Sequence, residues 1–289
     1  FQGNDLMERR VVFYDNGTAR DISVDLNNYH SGSRLLDIIS SQDTIFIGSI
    51  LPFNHFHIKF GSTKNALESA LIVSLWDGRN WQNTFEVVDQ TSDGTATFKK
   101  DGLIQFTPDK KHSWGMDDTV DSSGSTQITN LGGMKIYDRY WAALNFTNSL
   151  TSNLEIAWVG NIFSDDTALY SEYPEFSNSD TKSQFASGKT TWEEQHKIAA
   201  DIIIKDLKSK KIIVSGDQIL ERENLQLASV QKVAQIIYGS FGDDYAENRL
   251  DAKKEYCVRL DSANVKVDTN SNARVDRAEH ESTVNRIFR

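Results

Sequence analysis

The sequence predicts an α+β protein in two parts, an N-terminal β-sandwich followed by a small C-terminal helical bundle with an extended tail. Three observations predict it. Up to about Phe176, short runs of alternating apolar and polar residues recur between turn dipeptides, as in strands of a sandwich or barrel. From Thr190 the apolar spacing changes to the helical period. From Asp268 oxygen-bearing side chains recur at alternate positions, which suits a loop. The expected divisions are residues 7–176, 177–262 and 263–289. Phe1-Gln2-Gly3 matches the end of a tobacco etch virus protease site and Met7 a natural start, so residues 1–6 are set apart from the fold.

Strands are expected at Arg10 to Tyr14, Thr44 to Ser49, Phe53 to Phe60, Ala70 to Trp76, Gly102 to Phe106, Tyr140 to Asn145 and Leu154 to Phe163. Turns fall at Asp15-Asn16-Gly17, Asp77-Gly78, Asp93-Gly94, Asp101-Gly102 and Gly132-Gly133. Leu71 to Trp76 and Tyr140 to Phe146 are rich in aromatic and aliphatic residues and read as core. Lys110 to Gly133 is a polar insertion carrying Trp114 and Met116, either a functional loop or a plain surface loop. In Phe53 to Phe60 the alternation places His55, His57 and Lys59 on one face. The imidazoles read as members of a solvated strand face rather than as metal ligands.

After a polar linker at Ser177 to Thr181, Thr190 or Thr191 is the expected cap of a first helix, with Glu193 or Glu194 completing a capping box. Its apolar stripe is Trp192, Ala199, Ile202, Ile203 and Leu207, and Lys205 to Lys211 places cations at its C-terminus. Lys211 to Val214 reads as a short β-like segment. A second helix is expected from Glu223 to Tyr238, with Leu225, Ala228, Val233, Ala234 and Ile237 inward, ended by Gly239 and Gly242. A third runs from Asp243 to Leu260 and uses Tyr245, Ala252, Tyr256 and Val258. Cys257 lies within it, reads as a buried inert thiol, and as the one cysteine excludes an intrachain disulfide.

The most specific chemical pattern is the EF-hand-like run in the tail. Asp268, Asn270, Asn272, Asp276 and Glu279 present oxygens at positions 1, 3, 5, 9 and 12. Arg274 supplies a carbonyl at position 7, and Val275 is the apolar position 8. Ala273 stands where such a loop has glycine. A positive φ there costs alanine roughly 1 kcal/mol. The expectation is a calcium site of low affinity, or a loop held by Asx-type hydrogen bonds without metal. No other cofactor is indicated.

Acidic pairs at Asp117-Asp118, Asp165-Asp166 and Asp243-Asp244 are adjacent residues, not carboxylates held apart across a sugar. A Ser-centred elbow, phosphate loop, dinucleotide fingerprint and zinc motif are all missing from the sequence, so the chain reads as non-enzymatic. The formal net charge of -10 argues against a protein that clamps nucleic acid, though it suits a wall past which DNA slides. No apolar run is long enough for a membrane helix.

Two stretches, Phe185-Ala-Ser-Gly-Lys-Thr-Thr-Trp-Glu-Glu-Gln-His196 with the helix after it, and Ala234-Gln-Ile-Ile-Tyr-Gly-Ser-Phe-Gly-Asp-Asp-Tyr245, together with the EF-hand-like tail, resemble neck or head–tail connector (adaptor) proteins of tailed bacteriophages. The resemblance covers about residues 180 to 289. More weakly, Leu75-Trp76-Asp77-Gly78-Arg79-Asn80-Trp81 resembles the accessory sandwiches that phages attach to such cores. It implies a virion protein forming a homo-oligomeric ring between portal and tail, with a tail that docks on a partner through Arg274, Arg277, Arg286 and Arg289. A second expectation is a sandwich that binds cell-surface glycan, stacking sugars on Trp81 or Trp114.

Overall fold

The computed structural model describes residues 9–30, 32–111, 114–117, 128–131, 134, 136 and 138–276. The chain forms two compact units. The first ends at Gly160 and regains Asn270–Arg274; the second runs over Asn161–Thr269 and resumes at Val275.

The first unit holds two antiparallel sheets. β1 (Arg9–Asp15) and β2 (Thr18–Asp21) form a hairpin across Asn16-Gly17. Both turn residues have positive φ, 37° and 101°, as the mirror-image turns that match strand twist require. The short α1 (Ser23–Leu26) and β3 (Arg34–Leu36) follow, then β4 (Thr44–Ser49) and β5 (His55–Phe60). Next come β6 (Leu71–Trp76), β7 (Trp81–Asn83), β8 (Glu86–Asp89) and β9 (Gly102–Thr107). The last strands are β10 (Met116–Asp117), β11 (Arg139–Phe146) and β12 (Leu154–Gly160). The seven-stranded sheet has the order β2-β1-β4-β11-β6-β7, with β10 also on β11; the five-stranded sheet has the order β3-β12-β5-β9-β8. One residue step passes the chain between them: Thr84 N–H donates to Val73 O on β6, and Phe85 N–H to Thr107 O on β9.

Aromatic residues fill the unit. Trp141 on β11 lies opposite Gly48 on β4, and a Cβ at Gly48 would meet the indole at 2.6 Å. Glycine is therefore needed to let the ring cross the neighbouring strand. Phe98 is fully buried with φ 60° and touches one sheet on each side. Its ring centroid lies 5.0 Å from that of Phe60 on β5 and 5.1 Å from that of Phe146 on β11. The expected strands are present with ends shifted by a few residues. His55 departs from the expected solvated face: it is buried, with Nδ1 2.8 Å from Asn54 Oδ1. That face of β5 is covered, because Lys59 Nζ donates to Tyr29 Oη at 2.7 Å and Trp158 packs near His57.

The second unit contains α2 (Asp166–Glu172), α3 (Ser179–Phe185), α4 (Glu193–Ser209), α5 (Gln226–Ser240) and α6 (Ala246–Ser262). The expected boundary at residue 176 moves to 160. Leu169 and Phe176 pack on Trp192, Val233 and Ile237 of the helices rather than on a sheet. That cluster joins the start of α4 to the end of α5. A second cluster, with Ile203, Leu207, Ala228, Tyr256 and Leu260, joins the end of α4 to the start of α5 and the end of α6. So α4 and α6 run the same way and α5 returns between them.

Three local expectations change. Trp192, not a threonine, is the N-cap of α4, and no side chain of its own caps it; the Asp166 carboxylate accepts from Trp192 N–H at 3.0 Å instead. Lys211 to Val214 is no strand. Lys211 takes φ 58°, its N–H donates to Lys208 O, and Ile212 N–H donates to Leu207 O, both at 3.0 Å. This pair of bonds is a Schellman ending, with lysine where glycine is usual. On α6 the buried residues are Ala252, Tyr256 and Leu260, four apart, so Cys257 and Val258 turn outward and are exposed.

Candidate functional site

A buried polar cluster lies inside the helical unit, on residues three elements bring together. Ser164 precedes α2, Asp166 opens it, His196 sits in the first turn of α4, and Ser229 is on α5. Ser164 Oγ lies 2.7 Å from His196 Nδ1 and 2.7 Å from Ser229 Oγ, while His196 Nε2 lies 3.2 Å from Asp166 Oδ1. Tyr170 Oη donates to Asp166 Oδ2 at 3.0 Å. Burial raises the Asp166 pKa, but the hydrogen bond and charge of His196, the Trp192 N–H and the Tyr170 hydroxyl outweigh it and hold the carboxyl below its usual range.

Serine, histidine and aspartate in series suggest a nucleophile and its base, but the geometry does not suit one. Ser164 and His196 are 2% and 1% exposed, so no substrate carbonyl reaches the hydroxyl. The same atoms do close three helix contacts at once and supply the missing cap of α4. The cluster is a fastening. Its members are scattered over 66 positions from Ser164 to Ser229, and His196 lies between the positions of an apolar stripe, where nothing local marks its partners.

The tail loop is described as far as Asp276. Asp268 is buried and strand-like: its N–H donates to Gln218 O at 2.8 Å, and its carbonyl accepts from Gln218 Nε2. Asn272 Oδ1 accepts from Arg274 N–H at 2.8 Å, an Asx-type turn. Ala273 has φ 53°, the left-handed conformation expected at that position, and is buried. Asn270, Asn272 and Arg274 group with the first unit, whereas Asp268 and Asp276 group with the second. Among the described residues no group of three or more His, Cys, Asp or Glu is placed to hold a metal ion. Glu279, Arg277, Arg286 and Arg289 lie outside the described residues.

The two tryptophans expected to stack on sugars differ. Trp114 is buried, and its Nε1 donates to Trp141 O at 3.2 Å, so its face is unavailable. Trp81 is half-buried on β7, 5.4 Å between centroids from both Trp76 and Phe46. Most of the polar insertion from Lys110 to Gly133 lies outside the described residues.

Outward-facing apolar side chains mark the helical unit more than any cavity does. Val214 beyond α4, Leu227 on α5, and Tyr245, Leu250 and Val258 at and along α6 are all exposed. No helix among the described residues is long and apolar enough to cross a membrane. No family model, curated protein or solved structure matches the chain.

Proposed function

We propose that this chain is a structural virion protein of a tailed bacteriophage, a head–tail connector or neck subunit that forms an oligomeric ring between portal and tail. The observation that carries the reading is α6. The helix buries three of its residues, four apart, and leaves the rest of its circumference, including Leu250 and Val258, open to a partner. A helix so little used by its own core is suited to assembly. The sequence resemblance over residues 180 to 289 points the same way, as does the burial of the Ser164–His196–Asp166 series, which favours a scaffold over a catalyst.

In this reading the two sheets pack as a β-sandwich, with Phe98 wedged between Phe60 and Phe146 in support. The tail is a docking element that keeps its shape by the Asn272–Arg274 turn, without metal, and offers arginines to a neighbouring virion protein. DNA passes nearby at most. The glycan reading retains Trp81 alone. Imaging of virions and mass measurement of their components test the ring: several copies at the neck are expected, and one copy per particle, or none at the neck, refutes it.

A further inference from the structure

The helical unit has two chemically opposite ends. At one, the tip of α4 carries Lys205, Lys208, Lys210 and Lys211, followed by Val214, which is 71% exposed. The four lysines outnumber the two carboxylates among them, Asp206 and Asp261, in a chain whose formal net charge is -10. Lys210 is engaged with Asp261 at the end of α6, while Lys205 and Lys211 point to solvent. At the other end, Asp243 and Asp244 just before α6 and Glu247 in its first turn are all exposed, around Tyr245 and Leu250. Arg249 is the cation among them.

These ends are separated by the length of α6. Tyr256 Oη donates to Asp206 Oδ2 at 2.6 Å, fixing the lysine tip beside the last turns of α6. Tyr245 stacks on Tyr238 at 5.9 Å, and Phe241 lies 6.2 Å from Phe185, fixing the acidic patch beside the start of α4. Seventeen helical residues put the two about 25 Å apart.

We propose that copies of the chain associate head to tail, the lysine tip and Val214 of one copy seating on the acidic start of α6 and its Leu250 in the next. The proposal rests on the ring reading and names its interface. A two-fold contact through either end alone would set like charges against each other, whereas contact of one end with the other sets opposite charges together. Each copy offers one surface of each kind, so the contact repeats from copy to copy and closes into a ring when the rotation closes. The charged residues form a screened rim around the apolar contact, which makes association dependent on salt.

Sedimentation equilibrium on the full chain, with two variants, tests it. Wild type is expected to self-associate at low salt and at least tenfold more weakly at high salt. Lys205→Glu with Lys211→Glu, and separately Asp244→Lys with Glu247→Lys, are each expected to weaken association at least tenfold. An equimolar mixture of the two variants is expected to associate again, because each then offers the charge the other lacks. These positions are exposed, and a cooperative thermal transition shows that each variant is folded. A wild-type chain that stays monomeric at millimolar concentration overturns the proposal. Association that neither variant changes also overturns it, while leaving the ring itself to be decided by particle imaging.

Discussion

Gly48 shows how one missing methyl organises a sheet. The Trp141 ring occupies the place of a Cβ, so Gly48→Ala forces the indole or the strand to shift. A loss of about 2 kcal/mol is expected on chemical denaturation, in the range of overpacked cores. Glu155 gives the first unit an acid-sensitive fastening. Its carboxylate accepts from Ser33 Oγ and from Ser62 Oγ and N–H, the last two at 2.7 and 2.6 Å. These bonds, that from Ser33 foremost, hold its pKa down at about 2 against an ordinary 4.5. A depressed pKa stabilises the fold above the ordinary value, and the stabilisation is lost as pH falls through the folded one. Glu155→Gln is therefore expected to melt below wild type at neutral pH, with the gap closing between about pH 4.5 and pH 2. A gap independent of pH over that range would contradict the assignment.

Among the elements, α4 is the most informative, because both of its ends depart from what its sequence suggests. At its C-terminus Lys211 holds a left-handed conformation at a cost of roughly 1 kcal/mol to a residue with a Cβ. Lys211→Gly is expected to raise stability by about that amount, read as a higher thermal midpoint, and Lys211→Val to lower it. At its N-terminus the cap comes from Asp166, outside the helix. Ser164→Ala leaves His196 and Ser229 each short of a buried partner, with an expected loss of about 1–3 kcal/mol in urea unfolding. The apolar faces of α4 and α5 were legible in the sequence because periodicity reports which side is buried. The caps were not. Threonines next to a glutamate pair satisfy the local pattern, but a carboxylate 26 positions upstream makes the bond. On α6 the expected face failed in part for a related reason: Val258 is apolar, yet the helix packs along 252, 256 and 260, about half a turn of the wheel away.

For the whole molecule, the division into a sheet-bearing and a helical unit was readable from the change of period, and the strands from turn dipeptides such as Asn16-Gly17. Strand order was not readable, because β4, β6 and β11 meet across long stretches of chain and nothing local encodes that pairing. The boundary fell sixteen residues early, at 160 rather than 176, because aromatic residues such as Tyr173 and Phe176 suit a sheet or a helix core equally well. In the tail, the positive φ at Ala273 was foreseeable from its place in the loop pattern. Its described residues hold their turn by hydrogen bonds, so calcium up to millimolar concentration is expected to leave the thermal midpoint unchanged; a rise of several degrees would restore the metal reading.

The Ser164–His196–Ser229 series has a property beyond fastening. Each hydroxyl can give or receive, so the run of bonds can point in either direction. If Nδ1 of His196 lacks a proton, Ser229 donates to Ser164 and Ser164 to the ring. If Nδ1 carries one, the ring donates to Ser164 and Ser164 to Ser229. The two serines thus act as a reversible coupling that fits either tautomer of the ring while the elements they join keep their spacing.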